Sequence, residues 1–253
     1  MGMDRRFFLK ITGLASVSGL GLNGIAKAIT NDEDTASKGS KRLALIIDMQ
    51  KCRTQKDCKD CTLACHKVHN VPEIKNTNHE VKWIWKESFE HAFPSQNHKY
   101  ISNQAKNTPS VILCNHCDNP PCVGVCPTQA TFKRDTDGIV MMDFHRCIGC
   151  RYCMVACPYG ARSFNWKEAK PHIKEINNKF PVRAKGVVEK CNLCAERIAK
   201  NQIPACVESC KAKAIIFGDL MDPDSEVRKV LSANNTIRRK PHLHTLPNVY
   251  YIM

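Results

Sequence analysis

The sequence predicts an α+β protein made of two similar cysteine-rich modules, interrupted by one insertion and followed by a C-terminal extension. Sixteen cysteines fall into four groups of four, short β-rich runs flank those groups, and an aromatic-bearing stretch parts the first group from the second. Apart from the cysteines, 253 residues with 43% apolar and 25% charged side chains are ordinary for a globular chain, and composition alone decides little.

The N-terminus reads Asp4-Arg5-Arg6-Phe7-Phe8-Leu9-Lys10, then an uncharged run from Ile11 to Ala26, then Lys27-Ala28 before acidic residues. This is the layout of a twin-arginine export signal over residues 1–28, with cleavage after Ala28. The uncharged run is rich in glycine and hydroxyl residues and shorter than the roughly 20 apolar residues a spanning helix needs. The expected location is therefore the periplasm. Proteins exported this way cross already folded, so metal sites can be filled in the reducing cytoplasm. Residues 29–41 are polar and low in aromatics, which predicts a disordered linker. The remaining 42–253 form the folded part, and nothing in it is long and apolar enough to span a bilayer.

The groups are Cys52, Cys58, Cys61 and Cys65; Cys114, Cys117, Cys122 and Cys126; Cys147, Cys150, Cys153 and Cys157; and Cys191, Cys194, Cys206 and Cys210. LALIID precedes the first and AIIFGD follows the last, both reading as strands. TFKRDTDGIVMMD, between the second and third, reads as a hairpin turning at Asp137-Gly138. Groups two and three fall in a central stretch, 113–158, between the outer groups at 52–65 and 191–210. The insertion, 66–111, carries Trp83 and Trp85 at strand spacing, which points to packing against a core. The extension, 213–253, has no cysteine.

The third group, CIGCRYCMVACP, has two, two and three residues between its ligands and ends in proline. Bacterial ferredoxins use this spacing to grip one [4Fe-4S] cluster with three thiolates while the fourth reaches a neighbouring cluster. CNHCDNPPCVGVCP is the same device with two extra residues. Sixteen ligands at four per site give four [4Fe-4S] clusters. Zinc is the main alternative, but zinc sites usually join two CxxC pairs across a long spacer. Disulfides are disfavoured because cysteines this close would be strained as local bridges. No CxxCH haem signature, phosphate loop or nucleophile elbow occurs. A cluster with every iron fully ligated exchanges electrons but offers no open iron to a substrate, so the expected activity is electron transfer without catalysis. His66 and His69 follow the first group closely enough to tune a cluster by hydrogen bonding. The formal charge of +14 suits an acidic protein partner or anionic lipid, and an exported protein has little use for nucleic acid.

With EKCNLCAERIAKNQIPACVESC, FGDLMDPDSEV and the closing PNVYY, the chain resembles the iron-sulfur electron-transfer subunits of the molybdopterin oxidoreductase type over about 43–252. CRTQKDCKDCTLACHKVHNVP and IRRKP are most similar to the DsrO branch, the periplasmic iron-sulfur subunit of the membrane complex tied to dissimilatory sulfite reductase. The resemblance implies crosswise ligation: Cys52, Cys58, Cys61 and Cys210 for one cluster; Cys191, Cys194, Cys206 and Cys65 for the next; Cys114, Cys117, Cys122 and Cys157 for a third; Cys147, Cys150, Cys153 and Cys126 for the fourth. The result would be an α+β chain of two fused ferredoxin-like 2[4Fe-4S] modules, 113–158 the central one and the groups at 52–65 and 191–210 the second. It also implies an integral membrane quinone-interacting subunit and a multihaem cytochrome c subunit as partners, with this chain peripheral to the membrane. The alternative is the electron-transfer subunit of a periplasmic molybdopterin reductase of polysulfide, tetrathionate or nitrite type. One departure stands out: Lys211 follows Cys210 where relatives commonly have proline, and an unscreened lysine charge there would raise that cluster's potential. The insertion and the extension lie outside the cluster scaffold, which makes them the expected docking surfaces.

Overall fold

In the computed structural model the described residues are Ser40–Met253 apart from Lys56, so the export signal and nearly all of the linker lie outside them. The strands are β1 (Leu43–Asp48), β2 (Ile84–Glu87), β3 (Ser110–Leu113), β4 (Thr131–Lys133), β5 (Val140–Met142), β6 (Ser163–Phe164), β7 (Val188–Glu189), β8 (Ile215–Asp219), β9 (Thr236–Ile237) and β10 (Val249–Ile252). All six residues of β1 are buried, as a continuous apolar run requires when both faces of a strand are covered. It sits inside a four-stranded sheet of order β8-β1-β10-β9, antiparallel to β8 and parallel to β10.

The period-two alternation of β1 divides its side chains between two cores. Leu43, Leu45 and Ile47 enter the larger one with Trp83, Phe93, Ile112 and Tyr251. Ala44 and Ile46 face the other way, against Ile216 and Val227. Val227 comes from the helix Glu226–Ala233, whose first turn is capped by Ser225 Oγ accepting the Arg228 N–H at 3.3 Å. Each aromatic or aliphatic side chain so buried contributes roughly 1.5–3 kcal/mol.

The insertion and the extension both contribute side chains to this core and are packed into the fold. Trp83 is fully buried, stacks on His69 at 4.6 Å and donates its indole N–H to Glu189 at 2.9 Å. Tyr251 on β10 is also fully buried, meets Phe93 edge-on at 4.9 Å, and donates its hydroxyl to the Val111 carbonyl. The physical reason is the alternation in Val249–Ile252, whose first and third side chains turn inward against β1.

The hairpin forms where the sequence places it, β4 antiparallel to β5, with Gly138 at φ +72° in a region closed to most side chains. Lys41 and Leu43 donate their N–H groups to the Thr136 and Asp137 carbonyls and tie the start of the folded part to this hairpin. A buried ion pair, Arg183–Glu189, joins β7 to the segment after Phe180, both side chains being inaccessible to solvent.

Candidate metal centres

Cys61 and Cys65 lie one turn apart on the helix Asp60–His69, and this spacing sends them to different neighbours. Cys61 is pushed up to about 11 by burial, aided by Cys52, Cys58 and Cys210. Cys65 is pushed well above its ordinary value by burial and then by Cys191, Cys206 and Cys194. Cys52 comes from the short helix after β1, started by Asp48 accepting the Lys51 N–H at 2.9 Å. Cys210 receives the Ala214 N–H at 3.2 Å.

Cys191 and Cys194 flank a turn in which Leu193 and Cys194 both have left-handed backbones, φ +56° and +53°. Such conformations cost of order 1–3 kcal/mol each and persist where surrounding structure fixes them. Here they aim both thiols inward and let backbone N–H groups reach sulfur: Leu193 to Cys191, and Ala205 to Cys194, each at 3.4 Å.

In the central segment burial pushes Cys117 up to about 12, with Cys114, Cys122 and Cys157 as its thiol neighbours. Cys126, Cys147, Cys150 and Cys153 line one small cleft with Thr128, Met142 and Arg151. The Thr131 N–H donates to Cys126 Sγ at 3.4 Å. Gly149, inside the Cys147–Cys150 turn, has φ +70°.

Thiols thus converge in four sets: 52, 58, 61 and 210; 65, 191, 194 and 206; 114, 117, 122 and 157; 126, 147, 150 and 153. Neighbours across sets line them up in that order. Cys206 feels Cys61, Cys191 feels Cys114, and Cys153 feels Cys122.

All sixteen cysteines are free of disulfides. Burial holds Cys191 and Cys194 at about 12 as bare thiols, so ionising four of them together needs a cationic core at their centre. Soft thiolate donors in fours, with backbone N–H groups directed at sulfur, fit an iron-sulfur cluster, which when bound supplies one-electron redox chemistry.

A family model described as a 4Fe-4S dicluster domain matches residues 108–220. The chain is 38% identical to the Hdr-like menaquinol oxidoreductase iron-sulfur subunit 1 of Archaeoglobus fulgidus, over 98% of this chain and 97% of that one. The chain belongs to the iron-sulfur subunits of the molybdopterin oxidoreductase type. A tetrathionate reductase subunit of Salmonella typhimurium is 34% identical, over the whole of this chain and 89% of that one. The menaquinone reductase iron-sulfur cluster-binding subunit of Nitratidesulfovibrio vulgaris is 33% identical, over 82% of this chain and 87% of that one. As a member of this family the protein is an iron-sulfur electron-transfer subunit.

Side chains beyond the cysteines complete this subunit's sites. His69 is buried, with Nδ1 3.0 Å from the Cys65 carbonyl and 3.6 Å from Cys65 Sγ, and Nε2 2.8 Å from Glu196. His69, Cys194 and Glu196 come within 4.8 Å of one another, but the imidazole is occupied on both nitrogens and serves as a support for the second set. His66 has no such contact with a thiol; its ring borders a cleft lined by Pro72, Glu73 and Pro171. Lys211 is largely exposed and paired with Asp60 at 3.2 Å, which removes the basis for a strong effect on the first set. Sequence reasoning missed Arg162 and Lys190, both buried, because a basic residue in a sequence reads as solvated surface. The Lys190 ammonium donates to the Val140 and Cys191 carbonyls.

Proposed function

We propose that this subunit relays single electrons through four [4Fe-4S] clusters between a quinone-reactive membrane subunit and redox partners of dissimilatory sulfur metabolism, with no substrate-converting site of its own. The observation that carries this reading is the convergence of sixteen thiols into four sets that succeed one another along the protein. In this reading each set holds one cluster, and the sets form two ferredoxin-like halves. The helix Asp60–His69 hands Cys61 to one cluster and Cys65 to the next, and the chain limits water access by burying or half-burying every thiol. Relatives named for menaquinol oxidation and menaquinone reduction support a quinone-linked partner. The Arg5-Arg6-Phe7-Phe8-Leu9 signal supports export to the periplasm, where the chain stays peripheral to the membrane through its partners. A multihaem cytochrome c subunit and the sulfite-reductase-linked membrane complex follow from the DsrO-like features of CRTQKDCKDCTLACHKVHNVP.

Iron and acid-labile sulfide counted on anaerobically purified protein, with electron paramagnetic resonance after reduction, test the cluster reading. About sixteen of each, with interacting [4Fe-4S] signals, is the expected result. Zinc without sulfide would overturn it. Purification from membranes tests the partners: a membrane quinone-reactive subunit is expected, and a molybdopterin subunit in its place would select the reductase reading instead.

A further inference from the structure

Arg162 is 5% exposed, yet no carboxylate among the described residues forms an ion pair with it, in contrast to Arg183 with its Glu189. Its Nη1 donates to Thr131 Oγ1 at 3.0 Å, and the Thr131 N–H in turn donates to Cys126 Sγ of the fourth set at 3.4 Å. Its Nη2 is buried and has no hydrogen-bond partner among the described residues. Nη1 also reaches Met142 Sδ at 3.9 Å, and Met142 packs in one small core with Cys122 of the third set and Cys153 of the fourth; the guanidinium charge acts on both of these thiols and on Cys114.

A guanidinium does not lose its proton in a protein, and a buried charge without a counter-charge is strongly unfavourable. Among the described residues, the anions placed to balance Arg162 are the thiolates of two adjacent sets. A cluster held by four thiolates is net negative in both redox states and more so when reduced, so a fixed cation beside it favours the reduced form. A cation beside two such sets favours reduction of both.

We propose that Arg162 is the shared counter-cation of the third and fourth sets, a positioning residue that raises both potentials together and keeps the electron step between them nearly level. This rests on the relay reading above, in which both sets hold clusters. A merely structural Arg162, pinning β4 through Thr131, would leave the potentials of an intact protein where they were.

The test is a redox titration followed by electron paramagnetic resonance on the whole, cluster-loaded protein, with iron counted on every sample. In Arg162→Gln, two of four midpoint potentials are expected to fall, each by at least tenfold in the reduction equilibrium, ~59 mV for one electron, while the other two hold. In Arg162→Lys, which keeps the positive charge, both of those potentials are expected to stay nearer wild type than in Arg162→Gln. Four unchanged potentials in iron-replete Arg162→Gln would overturn the proposal. If Arg162→Gln binds less iron than wild type, Arg162→Met, which fills the space without the charge, decides, and four unchanged potentials there overturn it equally. A wild-type protein without four clusters would overturn the relay reading itself, and this proposal with it.

Discussion

Glu189 accepts from Arg183, from the Trp83 indole and from Asn165, all without solvent, and so ties β7 to the insertion and to the segment after Phe180. Removing the charge from one member of a buried pair leaves the other uncompensated, at about 3–5 kcal/mol. Glu189→Gln keeps the shape and can still accept from Trp83, so the loss reports the charge. The expected outcome is a drop of that size in anaerobic denaturant unfolding; a change under ~1 kcal/mol would mean Arg183 finds another partner. The same physics explains what the sequence concealed. Lys211 is conspicuous because it sits beside Cys210 in the chain, but in space it is solvated and paired. Arg162 is inconspicuous between Ala161 and Ser163, yet its charge is buried beside thiols. Sequence proximity to a ligand says little about dielectric surroundings, and those decide how strongly a charge acts.

The ligand turns show why spacing was legible and pairing was not. CxxC spacing reports local chain geometry, so every thiol that converges in the four sets could be picked from the sequence. Gly149 in the Cys147–Cys150 turn illustrates this. Its φ is +70°, and a Cβ there would stand 2.3 Å from the Gly186 carbonyl oxygen, which is backbone and cannot give way cheaply. Gly149→Ala is expected to lose the fourth site alone, lowering iron by about four atoms per chain and leaving the other three sets filled. Unchanged iron would show that the Gly186 segment moves aside. By contrast, Val249–Ile252 pairs in parallel with β1 across almost the full length of the chain. Its alternation is visible in the sequence, but so short a run carries no information about so distant a partner, and the extension therefore read as an appendage.

At the scale of the molecule the question is how far the fold depends on its metal. The sheet around β1 and the insertion share a large apolar core with Trp83, Phe93 and Tyr251, so part of the protein has an interior of its own. The hairpin β4–β5 has a far smaller one, Ala130, Val140, Met142 and Val188 together with Cys122 and Cys153. Stripping iron should therefore unfold the protein unevenly. Hydrogen exchange after anaerobic chelation is expected to lose protection across Thr131–Lys133 and Val140–Met142 while Leu43–Asp48 and Val249–Ile252 retain it. What survives should then weaken in alkali. Cys61 is held at about 11 and Cys191 and Cys194 at about 12 from ordinary values near 9. Between those limits the unfolded chain releases thiol protons that the folded, cluster-free chain keeps. The folded form then binds more protons, and its stability falls as pH rises through about 9, by up to ~1.4 kcal/mol per pH unit for each such thiol. Below about pH 9 the same thiols are protonated in both forms and contribute no slope. In the loaded protein the thiolates are already committed to metal, and this alkaline loss should vanish. Equal pH dependence of loaded and stripped protein between about pH 9 and 11 would show that the buried thiols do not govern the metal-free fold.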